Sequence, residues 1–288
     1  MQSRQALRIV ERARALARVL PLGYAFSGLT AAAIWGLPLP RDAGRGSGSG
    51  PGLVALDPEL EVACHHPLRG LRRQGVSCVR VSSHLASFVV HRGLPVTNPA
   101  STWAMLAPRL DRGSAIALGD AVLHIDRIPG TNRVARPPLA TLPELQWAID
   151  AGRRRGAAAL RSQLSLLSTR SASAPESHLR VLLMDWDAPE PTLDYDVRAH
   201  NGMLLGCSEI AYPELRLAFE YEGDHHRTDR FQWNRDIAKY QAYTRSGWEV
   251  MRITASAMYG NPDRLRDQVF EALDRRGWRG TAPLRDTG

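Results

Sequence analysis

The run Arg216-Leu217-Ala218-Phe219-Glu220-Tyr221-Glu222 carries the densest chemistry in this 288-residue sequence. Side chains alternate along a strand, so Glu220 and Glu222 share one face, about 7 Å apart. Leu217, Phe219 and Tyr221 are left to face a core. The run before it, Gly206-Cys207-Ser208-Glu209-Ile210-Ala211, brings a third carboxylate. If the two runs pair as a hairpin, Glu209 lies near Glu220. Like charges that close repel unless a cation or a proton holds them together. Hard oxygen ligands of this kind suit Mg2+ or Mn2+ better than zinc.

Next comes Gly223-Asp224-His225-His226-Arg227. Histidine exchanges protons near neutral pH, so His225 or His226 at the rim of the cluster can take a proton from water or give one to a leaving oxygen. The alternative is a polar strand exit whose imidazoles meet only solvent. In the helix expected over 229–245, Trp233, Ile237, Tyr240 and Thr244 recur at the spacing of a sheet-facing stripe. Asp229, Gln232, Asp236, Lys239 and Tyr243 form a polar stripe beside it. Lys239 then points either to the carboxylates, steadying a phosphate or a nucleophilic water, or to Asp236 in solvent. Cys64-His65-His66 has no companion cluster and is assigned no role.

The elements that must position these groups are legible as patterns. Strands are expected over 192–197, 203–212 and 216–222, joined at Asn201-Gly202 and Tyr212-Pro213-Glu214. Helix 176–184 precedes them; helix 229–245 (capped by Thr228 and stopped by Gly247), strand 248–253 and helix 262–274 follow. That order predicts a single mixed sheet with helices packed on it. Earlier come helices over 3–19 and 28–35, strands over 59–64, 76–82 and 88–90, a helix capped by Thr97-Asn98-Pro99 and running through 106, and another over 115–125. Residues 41–52, almost devoid of core-forming side chains, read as a mobile loop. The fold class expected is mixed α/β. Its parts are a basic α+β accessory domain over 1–128, a Pro-rich connector and helical linker over 129–170, and the sheet domain over 171–288. Helices over 145–151 and 157–167 flank Gly152-Arg153-Arg154-Arg155-Gly156, a turn suited either to phosphate or simply to solvent.

Composition sets outer limits. With 44% apolar and 23% charged residues the chain reads as folded and soluble rather than disordered. No apolar stretch reaches the roughly 18 residues of a membrane span. Cys64, Cys78 and Cys207 are too scattered for a disulfide framework or a zinc ribbon, and a cytoplasmic location is expected. Residues 1–170 carry 22 arginines against 10 acids, a net of +12; residues 171–288 carry 15 basic residues against 19 acids, a net of −4. The basic part suits a polyanion. Arginine-biased coding explains it equally well, since Lys239 is the only lysine among the 37 basic residues.

Glu176 in Pro175-Glu176-Ser177-His178-Leu179-Arg180, Glu209 before Ile210-Ala211-Tyr212-Pro213-Glu214-Leu215, Glu220-Tyr221-Glu222-Gly223-Asp224-His225-His226, Arg235-Asp236-Ile237-Ala238-Lys239 and Gly247-Trp248-Glu249-Val250-Met251-Arg252-Ile253 form a recognisable set. Over about residues 171–275 the chain resembles the DUF559 domain, related to very-short-patch repair endonucleases in the restriction-endonuclease-like (PD-(D/E)XK) superfamily. The resemblance implies a Mg2+- or Mn2+-dependent phosphodiesterase core, with Glu209 at the strand aspartate, Glu220 at the (D/E) position and Glu222 or Glu176 adding outer ligation. Glutamate at 209 adds a methylene, about 1.5 Å of reach. Glu222 stands where many members have lysine and the short-patch branch has histidine. His225, His226 or Lys239 would then supply the positive group. Phe26-Ser27-Gly28-Leu29-Thr30 and Gly93-Leu94-Pro95-Val96-Thr97-Asn98-Pro99 are similar to AbiEi-type antitoxin-related proteins. The expected function is a metal-dependent endonuclease on double-stranded DNA in repair, restriction or a toxin–antitoxin or defence setting, gripping the duplex through the basic part. The alternative is a catalytically weak or inactive nucleic-acid-binding or regulatory protein on a nuclease fold.

Overall fold

The apolar stripe near the N-terminus folds as α1 (Arg4–Ala17), which buries Ala6, Ile9, Ala13 and Leu16 at helical spacing. These positions come from a computed structural model that describes residues 4–40, 58–223 and 230–280. The expected loop over 41–52, the Thr228 cap, His225 and His226 lie outside the described residues. The chain forms two units and passes between them three times: Met1–His124 with Pro138–Thr169, and Ile125–Pro137 with Arg170–Gly288.

In the first unit, β1 (Tyr24–Phe26), α2 (Gly28–Trp35), β2 (Leu60–His65), β3 (Val76–Val81), β4 (Phe88–His91) and β5 (Leu94–Thr97) follow α1. The strands form a sheet in the order β3-β2-β1-β5-β4. Phe26, Leu60, Val62, Leu94 and Val96 pack there against α1 and α2. Sequence patterning misses β1 and β5, because segments of three and four residues are too short to display alternation. β4 and β5 join through Arg92 and Gly93, both at positive φ (50° and 77°), the two-residue turn that matches hairpin twist. Helices α3 (Pro99–Leu106), α4 (Arg112–Leu123), α5 (Leu142–Asp150) and α6 (Ala157–Leu164) complete the unit. Asn98 caps α3 by accepting from the Ser101 amide at 2.8 Å, as its sequence predicts.

Residues 129–170 therefore do not act as a connector. Leu145, Ala148, Ile149 and Leu160 are buried with Trp103 and Leu118 in the first unit's second core, and 125–137 belongs to the other unit. In the arginine turn, Arg154 points inward and donates to the carbonyls of Ala148 and Leu85. Arg153 and Arg155 stay exposed.

In the second unit, a hairpin of β6 (Asp126–Arg127) and β7 (Val134–Arg136) comes first in the chain. Then follow α7 (Ala174–Asp185), β8 (Thr192–Arg198), β9 (Leu204–Tyr212), β10 (Leu217–Glu222), α8 (Arg230–Arg245), β11 (Glu249–Thr254) and α9 (Pro262–Arg275). The sheet order is β11-β10-β9-β8. β8, β9 and β10 pair antiparallel and β11 pairs parallel to β10, so the sheet is mixed as expected. Ile210, Tyr212, Leu217 and Phe219 bury one face against Leu179 and Leu183 of α7 and Leu265 and Val269 of α9. Val197, Ala211 and Ala218 bury the other against Tyr243 of α8.

The facing of α8 departs from expectation. Tyr243 is fully buried, whereas Ile237 and Thr244 are exposed. Of the stripe read as polar, Lys239 and Tyr243 turn to the sheet, Lys239 pairing there with the Glu220 carboxylate and Tyr243 packing on Ala211 and Ala218. Among the described residues no helix is long and apolar enough to cross a membrane.

Candidate functional site

Register places the first two carboxylates. Ala218 pairs with Ala211 and Phe219 with Ile210, so one further step sets Glu220 across from Glu209. Both project from the α8 face, opposite Phe219 and Ile210. There the Tyr221 amide donates to Glu209 Oε2 at 2.8 Å. Glu220 is 5% exposed. Its Oε2 accepts from Lys239 Nζ at 3.0 Å, while its Oε1 is buried with no hydrogen-bond partner among the described residues.

Lys239 reaches this position because the sheet is thin beneath it. A Cβ added at Gly206 would stand 3.0 Å from Tyr243 Oη and 3.2 Å from Lys239 Cγ. Glycine at 206 thus lets α8 lie close on β9, with Lys239 Nζ 5.4 Å from the Tyr243 ring centre. Of the two placements left open for Lys239, the structure takes the one at the carboxylates.

Glu176 arrives from α7 and is 6% exposed. Ser173 caps α7 by accepting from the Glu176 amide, and Glu176 Oε2 accepts from the Ala172 amide at 2.9 Å. A serine followed three residues later by glutamate is a helix-start signal, so Glu176 has a capping task as well as a place in the cluster. Burial, then the charges of Glu220 and Asp194, raise its pKa against the hydrogen bonds from Ala172 and Ser173. Glu209 is pushed well above the ordinary carboxylate range, first by burial and then by Glu176 and Glu220, against the Tyr221 amide and Lys239.

Glu222 takes a different partner. Its Oε1 accepts from Arg252 of β11 at 2.5 Å, and it is absent from the charges that act on Glu176 and Glu209. The face shared with Glu220 is real, but Arg252 holds the carboxylate.

A second charged group in this neighbourhood escapes sequence reading in part. Arg127 of β6 donates through Nε to Asp194 Oδ2 at 2.7 Å and through Nη1 to Asp196 Oδ2 at 2.8 Å. Asp194, at φ 50°, also accepts from the Cys207 thiol at 2.8 Å. Burial, then Asp194, pushes that thiol far up, so Cys207 is a donor here and not a nucleophile. The alternation of Asp194 and Asp196 within one strand is visible in sequence; the arginine that answers them, nearly seventy residues earlier, is not.

The sign of the pH dependence follows from the raised carboxylates. A group that holds its proton more tightly when folded stabilises the fold towards acid, and that stability is lost as pH rises through the folded-state pKa. Comparing thermal unfolding of the metal-free protein and Glu209→Gln across pH 4–9 should show a flatter fall in the variant on the alkaline side. At the alkaline end, where Glu209 is ionised in the wild type, the variant should be the more stable of the two. Identical slopes would mean that Glu209 is not a buried like charge.

Among the described residues, no three His, Cys, Asp or Glu side chains are grouped so as to hold a metal ion directly. The donor chemistry nevertheless fits a hard divalent cation. Glu176, Glu209 and Glu220 interact through their charges, two of them have raised pKa values, and one buried oxygen of Glu220 has no partner among the described residues. That is a site short of positive charge.

Two proteins of Mycobacterium tuberculosis, uncharacterized protein MT2308 and uncharacterized protein Rv2248, are each 30% identical to this chain over 240 residues, covering 79% of it and 80% of their own length. No family model and no solved structure matches the chain significantly.

Proposed function

The chain belongs to the family of these mycobacterial proteins, and for this member we propose a metal-dependent phosphodiesterase that cleaves nucleic acid, most readily double-stranded DNA. The observation that carries the reading is the buried oxygen of Glu220, unpartnered among the described residues in a cluster with Glu176 and Glu209 and beside the chain's only lysine. Glu209 and Glu220 would hold a Mg2+ or Mn2+ ion, with Glu176 adding outer ligation. When bound, such an ion neutralises phosphate charge and lowers the pKa of water. The chain's own part is to orient and to balance charge. Lys239, which now holds Glu220, would turn its compact ammonium to the phosphate, and the Tyr221 amide fixes the Glu209 carboxylate. Closing Glu209 and Glu220 on a cation would release Glu220 from Lys239 and free that ammonium for substrate. His225 and His226 remain candidates for moving the proton. The basic residues of the N-terminal part would grip the phosphate backbone, with affinity falling steeply in salt.

Titration calorimetry of Mg2+ and Mn2+ on the wild type and on Glu220→Ala tests this. Binding by the wild type that is lost in the variant, together with metal-dependent nicking of supercoiled plasmid lost in the same variant, is the expected result. The lack of a preformed metal-holding group among the described residues favours the second reading, a nucleic-acid-binding protein without catalysis. No metal binding by either folded protein in the presence of DNA would establish that second reading in place of the first.

A further inference from the structure

Residues 66–75, which carry the chain from β2 back to the start of β3, form a strap over one face of the first unit's sheet. β2 and β3 run parallel, so the strap must retrace their length. Two leucines hold it down. Leu71 packs on the same core as Cys78, and Leu68 lies on Gly23, where an added Cβ would stand 2.6 Å from its Cδ1. Polar ties fix the backbone. Tyr24 Oη donates to the Arg69 carbonyl at 2.5 Å, and the Cys64 thiol reaches the carbonyls of Leu68 and Arg69 at 3.9 and 3.7 Å. The Val76 amide closes the far end on the Arg73 carbonyl at 3.1 Å.

The outer side of the strap is rich in arginine. Arg69, Arg72 and Arg73 are exposed, as is Arg80 of β3. Register sets Arg80 opposite Cys64, on the face that the strap crosses, and its charge acts on the Cys64 thiol. None of these arginines is ion-paired among the described residues. From residue 62 to residue 110 the chain carries six arginines and neither Asp nor Glu. Of the two acids just before, Glu61 alternates to the opposite face, where Arg109 holds it at 2.7 Å, and Glu59 is exposed ahead of β2. The steps from Arg69 to Arg73 span at most about 14 Å, a length over which one strand of B-DNA carries about four phosphates.

Residues 66–75 hold no Phe, Tyr or Trp. Proteins that bind single strands stack bases on such rings, so a strap whose polar groups are chiefly guanidinium addresses phosphate rather than base. A backbone already pinned also presents its charges without the entropy of ordering a loop. Resting on the nucleic-acid reading above, we infer that the strap, with Arg80, is a docking site for the phosphate backbone of duplex DNA, independent of base sequence and of metal. The grip then belongs to four of the 22 arginines in residues 1–170, and the exposed pair Arg153 and Arg155 is not required.

The test is binding by the full chain in EDTA, read by fluorescence anisotropy, so that cleavage plays no part. The probes are a labelled DNA duplex, a second duplex of unrelated sequence, and a single strand of the same length. The wild type should hold both duplexes equally and the single strand roughly tenfold more weakly. Arg69→Gln, Arg72→Gln and Arg73→Gln combined should lower the salt slope by about 2–3 and weaken duplex binding near physiological salt by about a hundredfold. Arg69→Lys, Arg72→Lys and Arg73→Lys combined should keep the slope, because a phosphate accepts a point charge. Arg92→Gln, Arg153→Gln and Arg155→Gln combined remove the same charge elsewhere on the unit and should cost less than about tenfold. Equal losses in the two glutamine triples, or a lysine triple as weak as the glutamine one at the strap, overturn the inference. So does tighter binding of the single strand, or a strap triple that loses only vesicles of phosphatidylglycerol and phosphatidylcholine and keeps the duplex. None of these results touches the phosphodiesterase reading, which stands or falls on Glu220→Ala and metal. Conversely, a strap-dependent grip in a protein that binds no metal would keep the strap as a DNA site.

Discussion

Lys239→Met should destabilise the metal-free protein by about 2–4 kcal/mol, because it leaves the Glu220 carboxylate buried without its cation. The stem of lysine is kept in outline by methionine, so packing on Tyr243 changes little and the loss is one of charge. Glu220 is 5% exposed, and its other oxygen already lacks a partner among the described residues. The decisive control is the double variant Lys239→Met with Glu220→Gln. Removing one partner of a buried pair is far costlier than removing both, so the double variant should recover most of the loss. Urea unfolding with hydrogen exchange read at β9 and β10 measures this, and the double-mutant cycle gives the coupling energy. Additive losses in the double variant would show that the pair at 3.0 Å contributes nothing. Lys239→Arg should restore charge but not geometry, because a planar guanidinium is bulkier than the compact ammonium it replaces beside Glu220.

Arg127→Ala should be comparably damaging, at about 2–4 kcal/mol. Its side chain is 15% exposed and satisfies Asp194 and Asp196 at once, as well as the Asp194 carbonyl at 2.7 Å. Burial acting alone would raise the pKa of Asp196; Arg127 and the Gly130 amide outweigh it and hold that carboxyl below its usual range. Without the arginine, two carboxylates on one strand face each other. Lysine, a point charge with three donors, cannot span both, so Arg127→Lys should recover less than half of the loss. The strain of Asp194 at φ 50° would then go uncompensated. Amide exchange in the 125–137 hairpin and in β8 should accelerate together. Exchange that speeds up in the hairpin alone would mean that β8 stands without it.

Much of the C-terminal sheet is legible because its strands are long enough to alternate. Leu217, Phe219 and Tyr221 against Ala218, Glu220 and Glu222 announce both faces of β10, and the meeting of Glu209 with Glu220 follows from a tight hairpin. Side-chain pairing is less legible. Spacing along α8 predicts Ile237, Tyr240 and Thr244 inward; the structure buries Tyr243 and turns Lys239 inward instead. Hydrophobicity alone does not place Lys239 inward, because its partner Glu220 is a buried carboxylate on the face that α8 meets. Glu222 likewise reads as a member of the cluster until β11, parallel to β10, brings Arg252 to it. That partner lies 30 residues away, and nothing local announces it. Helices α5 and α6 read as a linker since their neighbours are rich in proline and arginine; their buried leucines decide otherwise.

The passage of residues 125–137 into the second unit has a consequence for folding order. Arg127 and Asp196 are separated by 69 residues, and between them lie α5 and α6, which must pack in the first unit. Closing so long a loop as free chain is entropically unfavourable, and prior folding of the intervening segment shortens it. The second unit's sheet can therefore nucleate among its own strands, but it reaches full stability only once the 125–137 hairpin is in place on β8. A fragment starting at residue 170 would lack Arg127 and carry two unanswered aspartates, so excision of the catalytic candidate by a single cut would give a weaker protein than the intact chain. Nascent chain emerging from the ribosome meets the same constraint in its favourable direction, since the first unit and the hairpin are synthesised before the sheet that the hairpin completes.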